Sequence, residues 1–225
     1  NCEKAGVLGG ELRTEHAHGV ETTLNAAERA EVKKRFKDSK VTCLGYGSNF
    51  EYHSPDPAVL RKNIEGTKEY IKLCKDIGAT GIKVKPNNLP ADVPKEKTIA
   101  QIAESFNEVG KFAADYGQLV RVEVHGHLTQ ELPTMKAIFD QVTEPAVKIC
   151  WNCNADFNSV KKWFGDTVHV REFNEGDYPY PELFKLFNDI KYDGWILMEA
   201  RTEPADRVAA LKEQLALFNT LKKSK

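Results

Sequence analysis

Residues 119–127 read LVRVEVHGH. Valines at 120, 122 and 124 alternate with polar residues, the period of a half-buried strand. The same alternation puts Glu123 and His125 on one face, with His125 nearer the C-terminal end of the strand. Similar β-branched or apolar runs recur at 6–13, 40–46, 81–85, 147–152, 167–171 and 195–199. Between and after them lie helical segments at 26–37, 57–77, 97–116, 132–142, 159–163, 181–188 and 205–221. In the second of these, Leu60, Ile64, Ile71, Leu73 and Ile77 form an approximate core stripe, with Asp56 as N-cap, Pro57 in the first turn and Gly78 as the stop.

Repeated βα units specify a parallel sheet with helices outside it, either open and doubly wound or closed into a barrel. No G-x-G-x-x-G or G-x-x-x-x-G-K-[ST] turn follows any strand, so the phosphate-binding fingerprints of the open folds are missing. Polar and ionisable residues end nearly every strand, as in barrel enzymes, whose sites are built from strand C-termini and the loops beyond them. The expected fold is therefore a (β/α)8 TIM barrel in one domain spanning residues 1–225. Only seven of its eight strands can be read, so the visible strands are the second to the eighth and NCEKAG is the tail of a first helix. The expectation follows that the natural chain continues upstream of Asn1 by roughly 30–50 residues, or that a second copy lends a strand. The first and last visible strands should then not pair with each other.

With 225 residues, 41% of them hydrophobic, the chain can bury a sizeable core. Its 32 Lys plus Arg nearly cancel 33 Asp plus Glu, so no net field gathers nucleic acid or an anionic membrane surface. No run of about 18 apolar residues is present. Five cysteines, an odd number in a chain large enough to fold without staples, favour free thiols and a reducing compartment. Localisation is otherwise open.

The six histidines are the most informative residues. His16 and His18 follow the first visible strand and His53 the second, His125 and His127 end the fourth, and His169 lies in the sixth. A closed barrel gathers such ends at one rim. Four adjacent strands then offer His125, Asn152, His169 and Glu199. Mixed nitrogen and oxygen donors suit one divalent ion of Mn, Co, Zn, Fe or Ni, and suit Mg less well. For Glu199 the competing structural role is a carboxylate paired with Arg171 or Arg201.

The succession of strand-end motifs resembles the xylose isomerase-like TIM barrel superfamily, which includes sugar and sugar-phosphate isomerases and epimerases and inosose dehydratases. The segment VEVHGHLTQELPTMKAIFDQV is similar to the family's fifth-strand pattern, a ligand followed two residues later by His, here His127. VHVREF resembles its seventh-strand pattern, a His followed by a basic and then an acidic residue. The resemblance implies a divalent ion held by His125, Asn152, His169 and Glu199. Asn152 stands where the family has Asp, and Ala155 where many members have a second His. These departures argue against a trinuclear zinc cluster and the DNA-repair endonuclease branch.

What the resemblance implies chemically is proton abstraction beside a carbonyl, giving an enediolate. Glu199 is the leading base, with Glu123, His125 and His127 next. Arg13, His16, Lys83, Lys85 and Arg201 are candidates for binding a carbohydrate substrate. A lyase or hydratase acting on a keto-sugar or cyclitol would use the same chemistry, and a non-catalytic sugar-binding barrel is the third reading. The sequence is compatible with a homo-oligomer. The CWNC segment at 150–153 lacks the helix start of a thioredoxin motif and the second ligand pair of a structural zinc site. Trp151, Trp163 and Trp195 suit packing better than sugar stacking, and Tyr46, Tyr52, Tyr178 and Tyr180 are candidates for lining the mouth.

Overall fold

A computed structural model describes residues 1–153, 164–175 and 178–223. Its seven parallel strands are β1 (Gly9–Arg13), β2 (Thr42–Glu51), β3 (Gly81–Lys85), β4 (Leu119–Glu123), β5 (Val147–Asn152), β6 (Phe164–Val170) and β7 (Trp195–Met198). They pair in simple sequence order, forming a nearly closed TIM barrel. The helices are α1 (Cys2–Ala5), α2 (Ala26–Asp38), α3 (Pro57–Ile77), α4 (Lys95–Asp115), α5 (Leu132–Phe139), α6 (Tyr180–Asp189) and α7 (Arg207–Lys223). The helix expected at 159–163, with Ala155 and Trp163, lies outside the described residues.

Among the described residues β1 and β7 share no ladder. They meet through side-chain packing instead, since a Cβ on Gly9 would stand 2.8 Å from Cζ3 of Trp195. The short α1 closes on Gly6 at φ 82 and leads into β1, the expected helix end followed by a strand.

Local signals account for the long helices. In α3 the Asp56 side chain accepts from Ala58 N at 2.8 Å, Pro57 opens the first turn, and Gly78 at φ 79 closes the helix, its N–H donating to the Lys75 carbonyl and that of Ala79 to the Cys74 carbonyl. Ile64, Ile71, Leu73 and Ile77 are buried, as their spacing demands. By contrast, α2 buries no residue and begins with a capping box: Glu28 N to Asn25 Oδ1 at 3.0 Å, and Asn25 N to Glu28 Oε2 at 2.8 Å. β2 runs beyond the expected 40–46 because Glu51 still pairs with Lys85, and Ser48 Oγ donates to the Lys83 carbonyl at 2.6 Å.

Strand alternation divides the barrel into two environments. Ile82, Val84, Val120, Val122, Ile149, Trp151, Val168 and Val170 join the core beneath α3 to α6. The opposite face is polar. Arg121, fully buried, reaches across the interior from β4, giving Nη1 to the Leu44 carbonyl at 2.6 Å and Nη2 to Thr80 Oγ1 at 2.7 Å. Its Nε and Nη2 also grip Asp166 of β6 at 2.7 and 2.6 Å. Gly81 leaves the guanidinium its room, because a Cβ there would lie 3.0 Å from Nη1. This floor closes the barrel below the site.

Candidate active site

One layer above Arg121, Glu123 points inward from the end of β4 with its side chain 2% exposed. Lys83 of β3 donates to Glu123 Oε2 at 2.5 Å, and the Asn152 amide of β5 donates to Oε1 at 2.7 Å. Burial by itself would raise the Glu123 carboxyl, but the His169 ring and the Lys83 ammonium outweigh it and hold the group well below the ordinary carboxylate range. Burial would likewise lower Lys83, and the carboxylates of Glu123 and Glu11 outweigh that effect, keeping it charged.

His169 lies beside this pair, near the end of β6, and is almost fully buried. Its Nδ1 stands 3.7 Å from Glu123 Oε1 and 3.8 Å from Glu199 Oε2, and makes no hydrogen bond. Its Nε2 stands 3.5 Å from Glu11 Oε1 on β1. Burial would depress this imidazole, but Cys150, Glu11 and Glu123 around it outweigh burial and raise it well above the usual histidine value. Glu199 is set just past β7 by its backbone N–H, which donates to the Val170 carbonyl at 2.7 Å. Contact with His169 is the main influence that lowers the Glu199 carboxyl, against partial burial.

Ligand atoms of Glu123, His169 and Glu199 all lie within 4.8 Å of one another. At 3.7 and 3.8 Å from its neighbours, Nδ1 is too distant to hydrogen-bond to either carboxylate. Bonds of about 2.0–2.2 Å from N and O donors to a shared ion put neighbouring donors about 3–4 Å apart. The donor set and the orphaned nitrogen therefore fit one divalent cation.

The site opens into a cavity of about 480 Å³, whose lining includes Glu123, Asn152, Glu199, Lys85, His125, Arg171 and Arg201. Its outer wall is cationic, and Arg171 and Arg201 both approach Glu175, at 3.9 and 3.5 Å. Those contacts answer the competing role for Glu199, because neither arginine pairs with it. Glu172, the acidic residue of the VHVREF motif, anchors the segment after Glu199 by accepting from Arg201 N, Thr202 N and Thr202 Oγ1 at 2.8, 2.9 and 2.9 Å. A second depression, of about 470 Å³, lies at the other end of β6 around Gly165 and Tyr192, away from this cluster.

The structure brings Asn152, His169, Glu199 and Glu123 together. His125 stands apart from the converging donors, because β4 ends at Glu123 and Gly126 at φ 101 turns the chain away over Asn87. Its ring sits on the cavity wall, where burial, helped by Lys85 and Lys83, lowers its pKa. His127 lies beyond that turn and is exposed, outside the cavity lining. Lys85 and Arg201 line the cavity, whereas Lys83 is committed to Glu123. Arg13 and His16 are exposed and outside the cavity lining: the Arg13 carbonyl bonds His18 Nε2 at 2.7 Å, and the His16 ring packs 5.8 Å from that of His18. Among the tyrosines, Tyr46 and Tyr52 are fully buried rather than at the mouth. Glu11 was missed, although it precedes Arg13 by two residues and so shares a face with it.

The sequence model of the xylose isomerase-like TIM barrel family matches residues 1–221, and the chain belongs to that family. Solved structures of similar fold include a D-psicose 3-epimerase determined in the presence of D-fructose, at TM-score 0.81 and 18% identity over 98% of this chain and 91% of that one. Another is the 3-keto-D-glucoside 4-epimerase YcjR of E. coli, at TM-score 0.78 and 16% identity over 96% of this chain and 90% of that one. The IOLI protein with a bound zinc atom matches at TM-score 0.77 and 14% identity, over 98% and 90% of the two chains.

Proposed function

We propose that this chain is a divalent-metal-dependent epimerase or isomerase of a keto-sugar, with Glu123, His169 and Glu199 as ligands and Asn152 beside them. The observation that carries the reading is the convergence of the Glu123 and Glu199 carboxylates on an unbonded, buried His169 Nδ1 at the base of a polar cavity. Similarity in fold to epimerases of D-psicose and 3-keto-D-glucosides supports the substrate class. A bound cation would supply Lewis-acid polarisation of the sugar carbonyl.

The remaining chemistry belongs to the side chains. Glu199, ionised at neutral pH and half open to the cavity, accepts the proton from the carbon beside the carbonyl. Glu123, held ionised by Lys83 and Asn152, keeps a fixed orientation, and the proton taken up by Glu199 returns from Glu199 to the neighbouring carbon or, for epimerisation, is replaced by one from solvent on the opposite face. His125 is held uncharged by burial and offers a hydrogen bond to a sugar hydroxyl, as do Lys85 and Arg201 on the wall. The test is product analysis on a panel of D-psicose, D-fructose, D-tagatose, L-ribulose and a 3-keto-glucoside with Mn(II) or Co(II), before and after chelation. Isomeric products of unchanged mass, formed only with metal, are expected. Loss of water or of an aglycone, or turnover indifferent to chelation, would contradict the reading.

A further inference from the structure

Glu11 has no part in the proposed reaction, yet its position is built with care. Its side chain is 13% exposed, and Oε1 stands 3.5 Å from His169 Nε2, across the ring from the Nδ1 that faces Glu123 and Glu199. The space exists because residue 47 lacks a side chain: a Cβ on Gly47 would lie 2.6 Å from that same oxygen. Glu11 Oε2 is buried with no hydrogen-bond partner. An under-satisfied buried carboxylate costs stability, and no strand pairing requires a carboxylate at this place. Its effect falls on the ring. An imidazole can present either nitrogen to an ion, and the partner beside the other nitrogen decides which; at 3.5 Å Glu11 Oε1 is the charge partner of Nε2, at the outer limit of a hydrogen bond.

We propose that Glu11 is a positioning residue that anchors Nε2–H of His169, so that Nδ1 is the atom presented to the divalent cation between Glu123 and Glu199. The inference rests on the metal reading above, and it can be tested with and without metal. Calorimetric titration of the chelator-stripped protein with Mn(II) should show Glu11→Ala binding about 10–100-fold more weakly than wild type. Glu11→Gln, which keeps an acceptor oxygen, should recover much of that loss. In metal-free protein, the His169 Nε2–H resonance should exchange slowly in wild type and in Glu11→Gln, and disappear in Glu11→Ala. A resonance that survives Glu11→Ala, or an alanine variant with wild-type Mn(II) affinity, overturns the role. A wild type that binds no Mn(II) overturns the metal reading, and the positioning role with it, even where the resonance depends on Glu11.

Discussion

Replacing Lys83 by Met tests whether the site is held together electrostatically before any metal binds. The Lys83 and Glu123 side chains are 7% and 2% exposed and meet at 2.5 Å, so neither charge is relieved by water. Breaking a buried pair by removing one partner costs about 3–5 kcal/mol, because the survivor is left uncompensated. Glu123 keeps the Asn152 amide at 2.7 Å and His169 at 3.7 Å, which puts the expected loss near the lower bound, about 3 kcal/mol. For a domain of this size that corresponds to a fall in Tm of about 6–12 °C. Chelator-treated Lys83→Met should be compared by thermal or urea unfolding with Glu123→Gln and the double variant. Since neutralising Glu123 removes the orphaned charge, a coupling of about 1–3 kcal/mol is expected. Mn(II) should also raise the Tm of Lys83→Met more than that of wild type, because a cation then takes over the role of the ammonium. A single variant within about 0.5 kcal/mol of wild type, with no coupling, would refute the reasoning, since that is the range of an inert surface change.

Other expectations concern neighbouring groups. Glu199→Gln keeps an oxygen donor but cannot accept a proton at neutral pH, so turnover should fall about 10²–10⁴-fold while elemental analysis still finds the metal. His169→Ala should lose the metal, because it removes the donor that stands between both carboxylates. For Glu172, burial acting alone would raise the carboxyl, but the backbone and hydroxyl donors around it outweigh burial and lower it from 4.5. With the folded-state value below the unfolded one, its contribution to stability is present above that unfolded value and is lost as pH falls below it. Metal-free Glu172→Gln should therefore show a shallower fall in Tm than wild type between about pH 5 and pH 3; parallel curves would exclude this role.

The barrel was legible because period and punctuation agree. In α3 the Asp56 cap, Pro57, the Ile64–Ile71 spacing and the Gly78 stop all specify one helix, and the structure forms it over the same residues. The place where side chains converge was legible where a polar residue ends a strand: Asn152, His169 and Glu199 do come together at one mouth. Reading went astray where alternation was followed past the end of the strand. Glu123 and His125 share a face only while the chain stays extended, and the turn at Gly126 leaves Glu123 at the depth of the donors and His125 on the wall. Counting histidines also overweighted the loops: His16, His18 and His127 are exposed, where imidazoles need no ion. Glu11 and Lys83 act through other side chains across the interior, and contacts between β1 and β6 or β3 and β4 have no local trace in sequence.

The central claim is metal-assisted proton abstraction at the Glu123, His169 and Glu199 cluster, and solvent isotope incorporation tests it most directly. Mn(II)-loaded protein turning over an accepted keto-sugar in D2O should place deuterium on the carbon beside the carbonyl. Chelation should abolish the incorporation, Mn(II) should restore it, and Glu199→Gln should lack it while retaining metal. Turnover without deuterium uptake, undiminished uptake in Glu199→Gln, or no uptake into any sugar of the panel would contradict the account.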